Sequence, residues 1–366
     1  MCAPTHGGLV APSIARRTPF APGLRPSFPI AKNNLEVPIP AHPPHSATVP
    51  LLVILGPTGA GKSDLALMLA EAFQGEIVNC DSIQVYRGFE IGSAKLPVAE
   101  RRGIPHHLLD VAGPDCELTA GAYSRLARTA ISEIRQRRRT PIIVGGTGFY
   151  LRALLAGLSP APLRDERLRT RLASLAKRRP AALHRFLHKY DPAAAARIHA
   201  NDHQKLIRAI EIVCLTRSSA SKTQQLPRDA MPGAQPFKIG LNPGRTALYQ
   251  HLNQRCGAMF QHGLLEEVRA LLAGGWKADA KPLQSLGYKQ ALKVLNGEDS
   301  LDEAIEECRL RTRQYAKRQM TWFRREPDVH WLAGFGSEGA VAREALRLCQ
   351  EFLASYTDPE YLFPAG

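Results

Sequence analysis

Residues 51–63 read LLVILGPTGAGKS, an apolar run followed by G-x-x-x-x-G-K-S with Gly56, Gly61, Lys62 and Ser63 in register. A strand that ends in a glycine-rich turn and enters a helix presents backbone N–H groups and the positive end of the helix dipole to phosphate oxygens. The turn comprises Gly56, Pro57, Thr58, Gly59, Ala60, Gly61, Lys62 and Ser63. Lys62 can neutralise phosphate charge and Ser63 can hold a magnesium ion, so this P-loop predicts a bound polyphosphate, without saying which one or what is done with it. Thr58 carries a hydroxyl that can reach a reacting centre or simply steady the turn. Asp81 follows EIVNC at 76–80. A carboxylate there can accept a proton from a substrate nucleophile or help to hold magnesium; as a lone residue after a strand it could equally cap a helix. A phosphate loop one strand away favours chemistry. In GGTGFY at 145–150, Thr147 can hydrogen-bond a substrate or cap a helix, and Gly145 and Gly146 let the backbone approach a ligand.

These groups need a sheet to hold them together. The pattern from residue 50 onward is α/β. Strand 51–55 leads to a helix over about 62–73, strand 76–80 follows, and a helix near 120–138 leads into strand 141–145. Strands separated by helices, with ligand groups just past the strand ends, predict a parallel sheet of the P-loop NTPase kind. Residues 161–232 are helical, basic and alanine-rich and are expected to form a helical insertion domain, with a loose loop at 217–236. The α/β core is therefore expected over 50–160 and 233–366. Its second part should contain strand 238–242, helices at 245–260, 263–273 and 284–295, a long basic helix over 301–323, strand 329–332 and a closing helix at 338–354. There is no internal repeat.

At 366 residues with 44% hydrophobic content, the chain can bury a sizeable core. No apolar run approaches the roughly 20 residues a membrane helix needs, so no membrane partner is expected. The net charge of +15 favours a polyanionic partner, usually nucleic acid. Seven cysteines (Cys2, Cys80, Cys116, Cys214, Cys256, Cys308 and Cys349) are scattered, odd in number and without a C-x-x-C pair. They predict a reducing compartment with idle thiols and neither a disulfide frame nor a zinc site. His106 and His107 lack a partner at ligand spacing. Residues 1–49 are set apart by proline: the first 50 residues hold 11 of the 28 prolines and a single acid, Glu36. Such a segment cannot offset its ordering entropy and is expected to be disordered. It is a plain tail or an over-long start rather than a transit peptide, whose amphipathic helix the prolines would spoil.

Residues 309–325 read RLRTRQYAKRQMTWFRR, seven cations with no acid between Glu307 and Glu326. Arg311, Arg318 and Arg325 recur every seven residues and form one stripe, with Lys317, Thr321 and Arg324 on a neighbouring face. Tyr315, Trp322 and Phe323 interleave. Cations that neutralise backbone phosphates beside rings that can stack a base fit RNA binding. The plain alternative is a solvated face over core aromatics.

In collinear order over about 50–333, GPTGAGKS, DSIQVYRG, IGSAK, PHHLLD, GGTGFYL, HANDHQKLIRAIEI, LGYKQ and KRQMTWFR resemble the tRNA dimethylallyltransferase (tRNA isopentenyltransferase) family. The resemblance implies a cytoplasmic, monomeric prenyltransferase that modifies tRNA with the help of magnesium. It would move the dimethylallyl group of dimethylallyl diphosphate to the exocyclic amine of the adenosine just 3′ of the anticodon, with diphosphate leaving. Its nucleotide-binding type of loop, the ATP-binding P-loop, would hold diphosphate and not ATP. Asp81 would be the general base, Thr58 and Lys62 would sit at the diphosphate, and Ser63 at magnesium. The anticodon stem-loop would meet Asp81, Ser82, Ile83 and Gln84; Thr147 and Arg169; Gln204, Lys205, Leu206, Ile207 and Arg208. It would also meet Gln284, Ser285, Leu286, Gly287, Tyr288 and Lys289, and finally Lys317, Arg318, Gln319, Met320, Thr321, Trp322, Phe323 and Arg324. Two departures stand out. Lys289 replaces the arginine of the LGYRQ-type block, turning a bidentate phosphate contact into a point charge. The first 50 residues have no counterpart. The zinc finger of some eukaryotic members is missing, which suits a bacterial-type enzyme.

Three other readings remain open on the residues alone. A small-molecule P-loop kinase would use Asp81 to orient a hydroxyl, but glycines stand where such enzymes often place an Asp after the third strand. An adenylate isopentenyltransferase would share the loop and Asp81 without needing the basic C-terminal half. A non-catalytic RNA-binding protein would not need Lys62, Ser63 and Asp81 intact.

Overall fold

The computed structural model describes residues 48–356; residues 1–47 and 357–366, and with them nearly all of the expected proline-rich extension, lie outside the described residues. Six strands form one sheet: β1 (Val49–Leu55), β2 (Gly75–Asn79), β3 (His106–His107), β4 (Thr140–Val144), β5 (Ala234–Leu241) and β6 (Val329–Leu332). Their order is β3-β2-β4-β1-β5-β6, with every pairing parallel. β1 is central, with Val53 beside Ile143 of β4 and Lys238 of β5. Its unbroken apolar run suits a strand covered on both faces.

The helices are α1 (Lys62–Ala72), α2 (Ala120–Gln136), α3 (Gly148–Leu155), α4 (Glu166–Arg178), α5 (Ala182–Tyr190), α6 (Pro192–Arg197), α7 (His203–Thr216), α8 (Ala220–Gln225), α9 (Arg245–Gln261), α10 (Leu264–Ala273), α11 (Tyr288–Leu295), α12 (Leu301–Phe323) and α13 (Gly339–Ala354). α1 and α13 cover one face of the sheet through Leu65, Leu69, Ala345 and Cys349. α2 packs on the other through Tyr123, Ala127, Ile131 and Ile134, a spacing that keeps them on one side of the helix. Burying each of those isoleucines contributes about 1.5–3 kcal/mol. α12 begins with a capping box between Ser300 and Glu303. It buries Ala304, Cys308, Thr312, Ala316, Gln319 and Phe323, one side chain every three or four residues. Most are small, which lets α12 lie close against α9.

Between α3 and β5, helices α4 to α8 gather around their own apolar cluster, which includes Leu183, Leu187, Leu206, Ile210 and Ala220. Two buried acids tie this cluster to its loops. Glu211 accepts from Asp165 N at 2.8 Å, Arg169 at 3.2 Å and Arg208 at 2.5 Å. Asp191 caps α6 at Ala194 N and holds Ser221 by N and Oγ at 2.8 and 2.7 Å.

Several expectations need correction. The helix expected over 284–295 starts only at Tyr288: Lys281–Gln284 is a 3₁₀ turn and Gly287, at φ 83°, breaks the path between them. The expected loop at 217–236 contains α8, capped by Ser219, and the first residues of β5, which begins at Ala234 and not at 238. The two-residue edge strand β3 carries too short a pattern to be read from sequence.

Candidate active site

In a parallel sheet the loops that follow the strands open at one edge. β1 delivers the glycine-rich turn there, β2 delivers Asp81 and β4 delivers 145–147. Gly61 stands before α1 in the left-handed region, φ 78°, which turns the chain into the helix. A Cβ there would lie 2.8 Å from Gly336 N, so the turn also rests on the loop ahead of α13.

Thr58 is held from two sides. Its N–H donates to Gln319 Oε1 at 2.8 Å, and its Oγ1 accepts from Arg255 Nη2 at 2.7 Å. Gln319 is buried on α12 and also donates from Nε2 to Gly146 O at 2.9 Å. One amide thus joins the P-loop, the loop after β4 and the basic helix. Gly145 and Gly146 were expected to let the backbone approach a ligand; both line the smaller of two cavities, and on their other side Cys80 and Gln319 press close. Added Cβ atoms would stand 2.1 Å from Cys80 O and 2.3 Å from Gln319 Nε2.

Asp81 caps the turn that follows it and also borders both cavities. Its Oδ1 accepts from Ile83 N at 2.8 Å and Gln84 N at 3.3 Å, capping the turn that follows. Asn79 Oδ1 accepts from Asp81 N at 3.1 Å, and Thr147 Oγ1 accepts from Ser82 N at 3.1 Å. The carboxylate is therefore fixed through one oxygen, while the residue still lines the cavity edge. Thr147 ties the β2 and β4 loops together and makes no side-chain cap to α3.

Two cavities meet at Thr58, Asp81, Ser93 and Arg255, which line both. The smaller, about 200 Å³, is walled by Lys62, Ser63 and Asp64. The larger, about 600 Å³, runs between α9 and α12 to the segment 284–289. Lys62 donates to Pro57 O at 2.7 Å. Burial lowers its pKa to about 8; Asp81 opposes that shift and Arg255 adds to it. Burial likewise lowers the pKa of Arg255. Among the described residues neither cation has a salt-bridge partner, which leaves positive charge for an anionic ligand to balance. Binding of inorganic diphosphate to the free protein should weaken as pH rises through about 8, where Lys62 loses its proton, and Lys62→Arg should remove that fall; titration calorimetry across pH 7–9.5 measures it. The sign for stability is the reverse: the folded state gives up this proton first, so stability from this group rises with pH between about 8 and 10.5.

Oxygen donors are what magnesium needs, and Ser63, Asp64 and Asp81 border the smaller cavity. No cluster of three His, Cys, Asp or Glu side chains exists among the described residues. These residues therefore suit a magnesium ion shared with ligand phosphates rather than one held in an all-protein cage.

The residues expected at an RNA are only partly brought together. Asp81, Ser82, Ile83, Gln284, Ser285, Leu286, Gly287, Lys289 and Arg318 line the larger cavity, with Gln84 and Gln319 at the smaller. Lys317, Arg318 and Thr321 on α12 and Arg324 at its C-cap are exposed, and Lys317 and Arg324 make no ion pair among the described residues. The side chains of Tyr288 and Phe323 are buried: Tyr288 donates its hydroxyl to Glu267 at 2.6 Å, and Phe323 packs in the core. Met320 is half-buried, and Trp322 packs on Gly148 beneath Arg152, 4.5 Å from the ring centre. Of the three interleaved aromatics only Tyr315 faces the cavity, with burial raising its pKa.

Arg169, Gln204, Lys205, Leu206, Ile207 and Arg208 belong to α4 and α7 and line neither cavity. Arg169 and Arg208 are engaged by Glu211, Lys205 pairs with Asp202 at 2.5 Å, and Leu206 and Ile207 are core. As direct contacts of a bound RNA, the side chains of Leu206, Ile207, Tyr288 and Phe323 are corrected here: they present almost no surface. Sequence reasoning missed Arg255 and Met259, which no motif marks, since α9 carries no spacing signal of its own; it also passed over Ser93, although that residue lies within IGSAK.

The sheet order, the phosphate turn at its carboxyl edge and the adjoining cleft define a P-loop-type α/β protein. The chain belongs to the IPP transferase family, whose model matches residues 84–326. A protein of Solibacter usitatus named tRNA dimethylallyltransferase is 52% identical over 305 residues, covering 83% of this chain and 99% of its own. One of the same name from Koribacter versatilis is 50% identical, covering 81% and 97%. Among solved structures, the tRNA isopentenylpyrophosphate transferase of Bacillus halodurans is 36% identical with a TM-score of 0.60, covering 83% of this chain and 95% of its own. A eukaryotic dimethylallyltransferase acting on tRNA is 28% identical with a TM-score of 0.72, covering 84% and 80%.

Proposed function

We propose that the protein transfers the dimethylallyl group of dimethylallyl diphosphate to the exocyclic amine of the adenosine 3′ of the anticodon in tRNA and releases diphosphate. The observation that carries this reading is the junction of the two cavities at Thr58, Asp81 and Arg255. A cationic compartment for the leaving group there opens directly onto a compartment with room for a base.

The chemistry follows from the groups present. An adenine amine is a poor nucleophile, because its lone pair is delocalised. The step therefore needs an aligned carbon centre, a stabilised leaving group and a proton acceptor. Lys62 and Arg255 take up charge that develops on the departing diphosphate. Thr58 Oγ1 already accepts from Arg255, so its own proton is free to point at a diphosphate oxygen. Asp81, held through Oδ1, keeps its second oxygen for the amine proton. Magnesium held by Ser63 with Asp64 or Asp81 would supply further neutralisation of the diphosphate. The target base must leave its stack to enter the larger cavity, and Lys317, Arg318, Thr321 and Arg324 offer the phosphate contacts that hold the RNA while it does.

The monomer that the resemblance implies is part of this reading. No described helix is long and apolar enough to cross a membrane. A cytoplasmic enzyme is our reading of that fact together with the scattered thiols.

The experiment is transfer of radiolabelled dimethylallyl diphosphate to unmodified tRNA, with AMP and ATP in parallel. Label in tRNA that requires the adenosine 3′ of the anticodon is the expected result. Label in AMP alone would make the protein an adenylate isopentenyltransferase, and ATP consumption without label would make it a kinase. Lys317→Ala with Arg318→Ala should weaken binding of every tRNA to a similar degree and reduce the slope of log affinity against log salt by about 2, measured by filter binding at several salt concentrations.

A further inference from the structure

We propose that Cys256 and Cys308 form an oxidisable thiol pair in the wall of the larger cavity, which hydrogen peroxide converts into a disulfide joining α9 to α12. The two lie 52 residues apart in sequence on different helices, and neither had a partner by spacing. In the fold both thiols reach one hydroxyl: Thr312 Oγ1 lies 3.5 Å from Cys256 Sγ and 3.9 Å from Cys308 Sγ. Each residue is only 1% exposed, yet both border the cavity, and peroxide is little larger than water.

The thiolate is the form that reacts. The neighbouring Cys308 thiol, then the Thr312 hydroxyl and the guanidinium groups of Arg255 and Arg309, lower the pKa of Cys256 against the opposing effect of burial. Every other described cysteine is shifted the other way: Cys80, Cys116, Cys214 and Cys349 by burial, and Cys308 by the neighbouring Cys256 and by burial. Exposure alone would send an oxidant to Cys214, which is on the surface. The arrangement of thiols and arginines sends it to Cys256.

The Cys256 thiolate attacks one peroxide oxygen. The O–O bond breaks, and the hydroxide that leaves takes up a proton to become water. The resulting sulfenic acid is attacked by the Cys308 sulfur; the S–O bond breaks, and a second water leaves with the Cys308 proton. Two thiols lose two electrons and one peroxide gains them. The sulfurs, which now share the Thr312 hydroxyl, must then close to about 2.05 Å. That draws α9 toward α12 beside Arg255, and so moves the guanidinium that holds Thr58. In a reducing compartment such a bond would be transient, formed under peroxide and reversed by thiols.

The disulfide does not depend on the proposed reaction; only its effect on turnover does. The full chain is treated with graded hydrogen peroxide, remaining thiols are alkylated, and tryptic peptides are mapped by mass spectrometry while prenyl transfer is assayed in parallel. The expected result is a Cys256–Cys308 linked peptide that appears before Cys214 or Cys116 is consumed. Transfer should fall tenfold or more with it and recover on adding dithiothreitol. Cys308→Ser should abolish the link and leave a Cys256 sulfenic acid that dimedone traps. Prior loss of Cys214 or Cys116 with Cys256 still alkylatable would overturn the proposal, as would oxidation of Cys256 without linkage in the unsubstituted protein. Linkage with unchanged transfer would overturn its coupling to the site.

Discussion

Asp81→Asn is expected to lower the rate of prenyl transfer by about 10²–10⁴-fold while leaving tRNA binding and the thermal midpoint unchanged. Asparagine is the informative replacement because its Oδ1 can still accept from Ile83 N and Gln84 N, the two bonds that fix the turn. Only the capacity to take a proton is removed. Asp81→Ala removes the cap as well and should cost the same catalysis with some loss of stability, about 1 kcal/mol for a lost cap. Single-turnover rates with saturating donor and tRNA separate the two effects. If Asp81→Asn turned over at near the unsubstituted rate, the proton would be going elsewhere, and Asp81 would be a capping residue that happens to border the cavity.

The second large effect is at Arg255. Arg255→Met should reduce kcat/KM for dimethylallyl diphosphate by about 10²–10³-fold and at the same time hold or raise the thermal midpoint. Among the described residues the guanidinium has no salt-bridge partner, and burial lowers its pKa against the opposing charge of Asp81. Removing such a charge relieves a desolvation cost, whereas the Thr58 hydroxyl loses the donor that orients it. Activity and stability moving in opposite directions is the pattern of a group kept for its ligand. A clear fall in midpoint would instead identify Arg255 as a structural strut between α9 and the P-loop.

What could be read from the chain, and what could not, divides by distance along it. The P-loop, Asp81 after the second strand and the parallel sheet all rest on patterns a few residues long, and they emerged from spacing and hydrophobic period alone. The bonds that complete the site do not. Arg255 and Gln319 reach Thr58 across 197 and 261 residues, and nothing local to either position announces that meeting. Cys256 and Cys308 are the same case. The basic character of α12 was legible, but not the share of its rings and amides already spent on packing: Phe323 in the core, Trp322 under Arg152, Gln319 on the loops. Leu206 and Ile207 could have been set aside earlier, since two adjacent apolar residues on a helix with Ala209 and Ile210 already describe a core face. The start of α11 depended on a glycine at φ 83°, a conformation that a helical period does not reveal.

Gln319 has a consequence for the order of events. Its amide belongs to the helix that carries the basic lip, yet it sets the place of a P-loop N–H and of the Gly146 carbonyl. Any adjustment of α12 on meeting a large polyanion is thereby felt where the small one sits. Thermodynamic linkage then requires that whatever factor the first ligand imposes on the affinity of the second is returned in full by the second upon the first. The two substrates would report on each other through one side chain, before either has reacted.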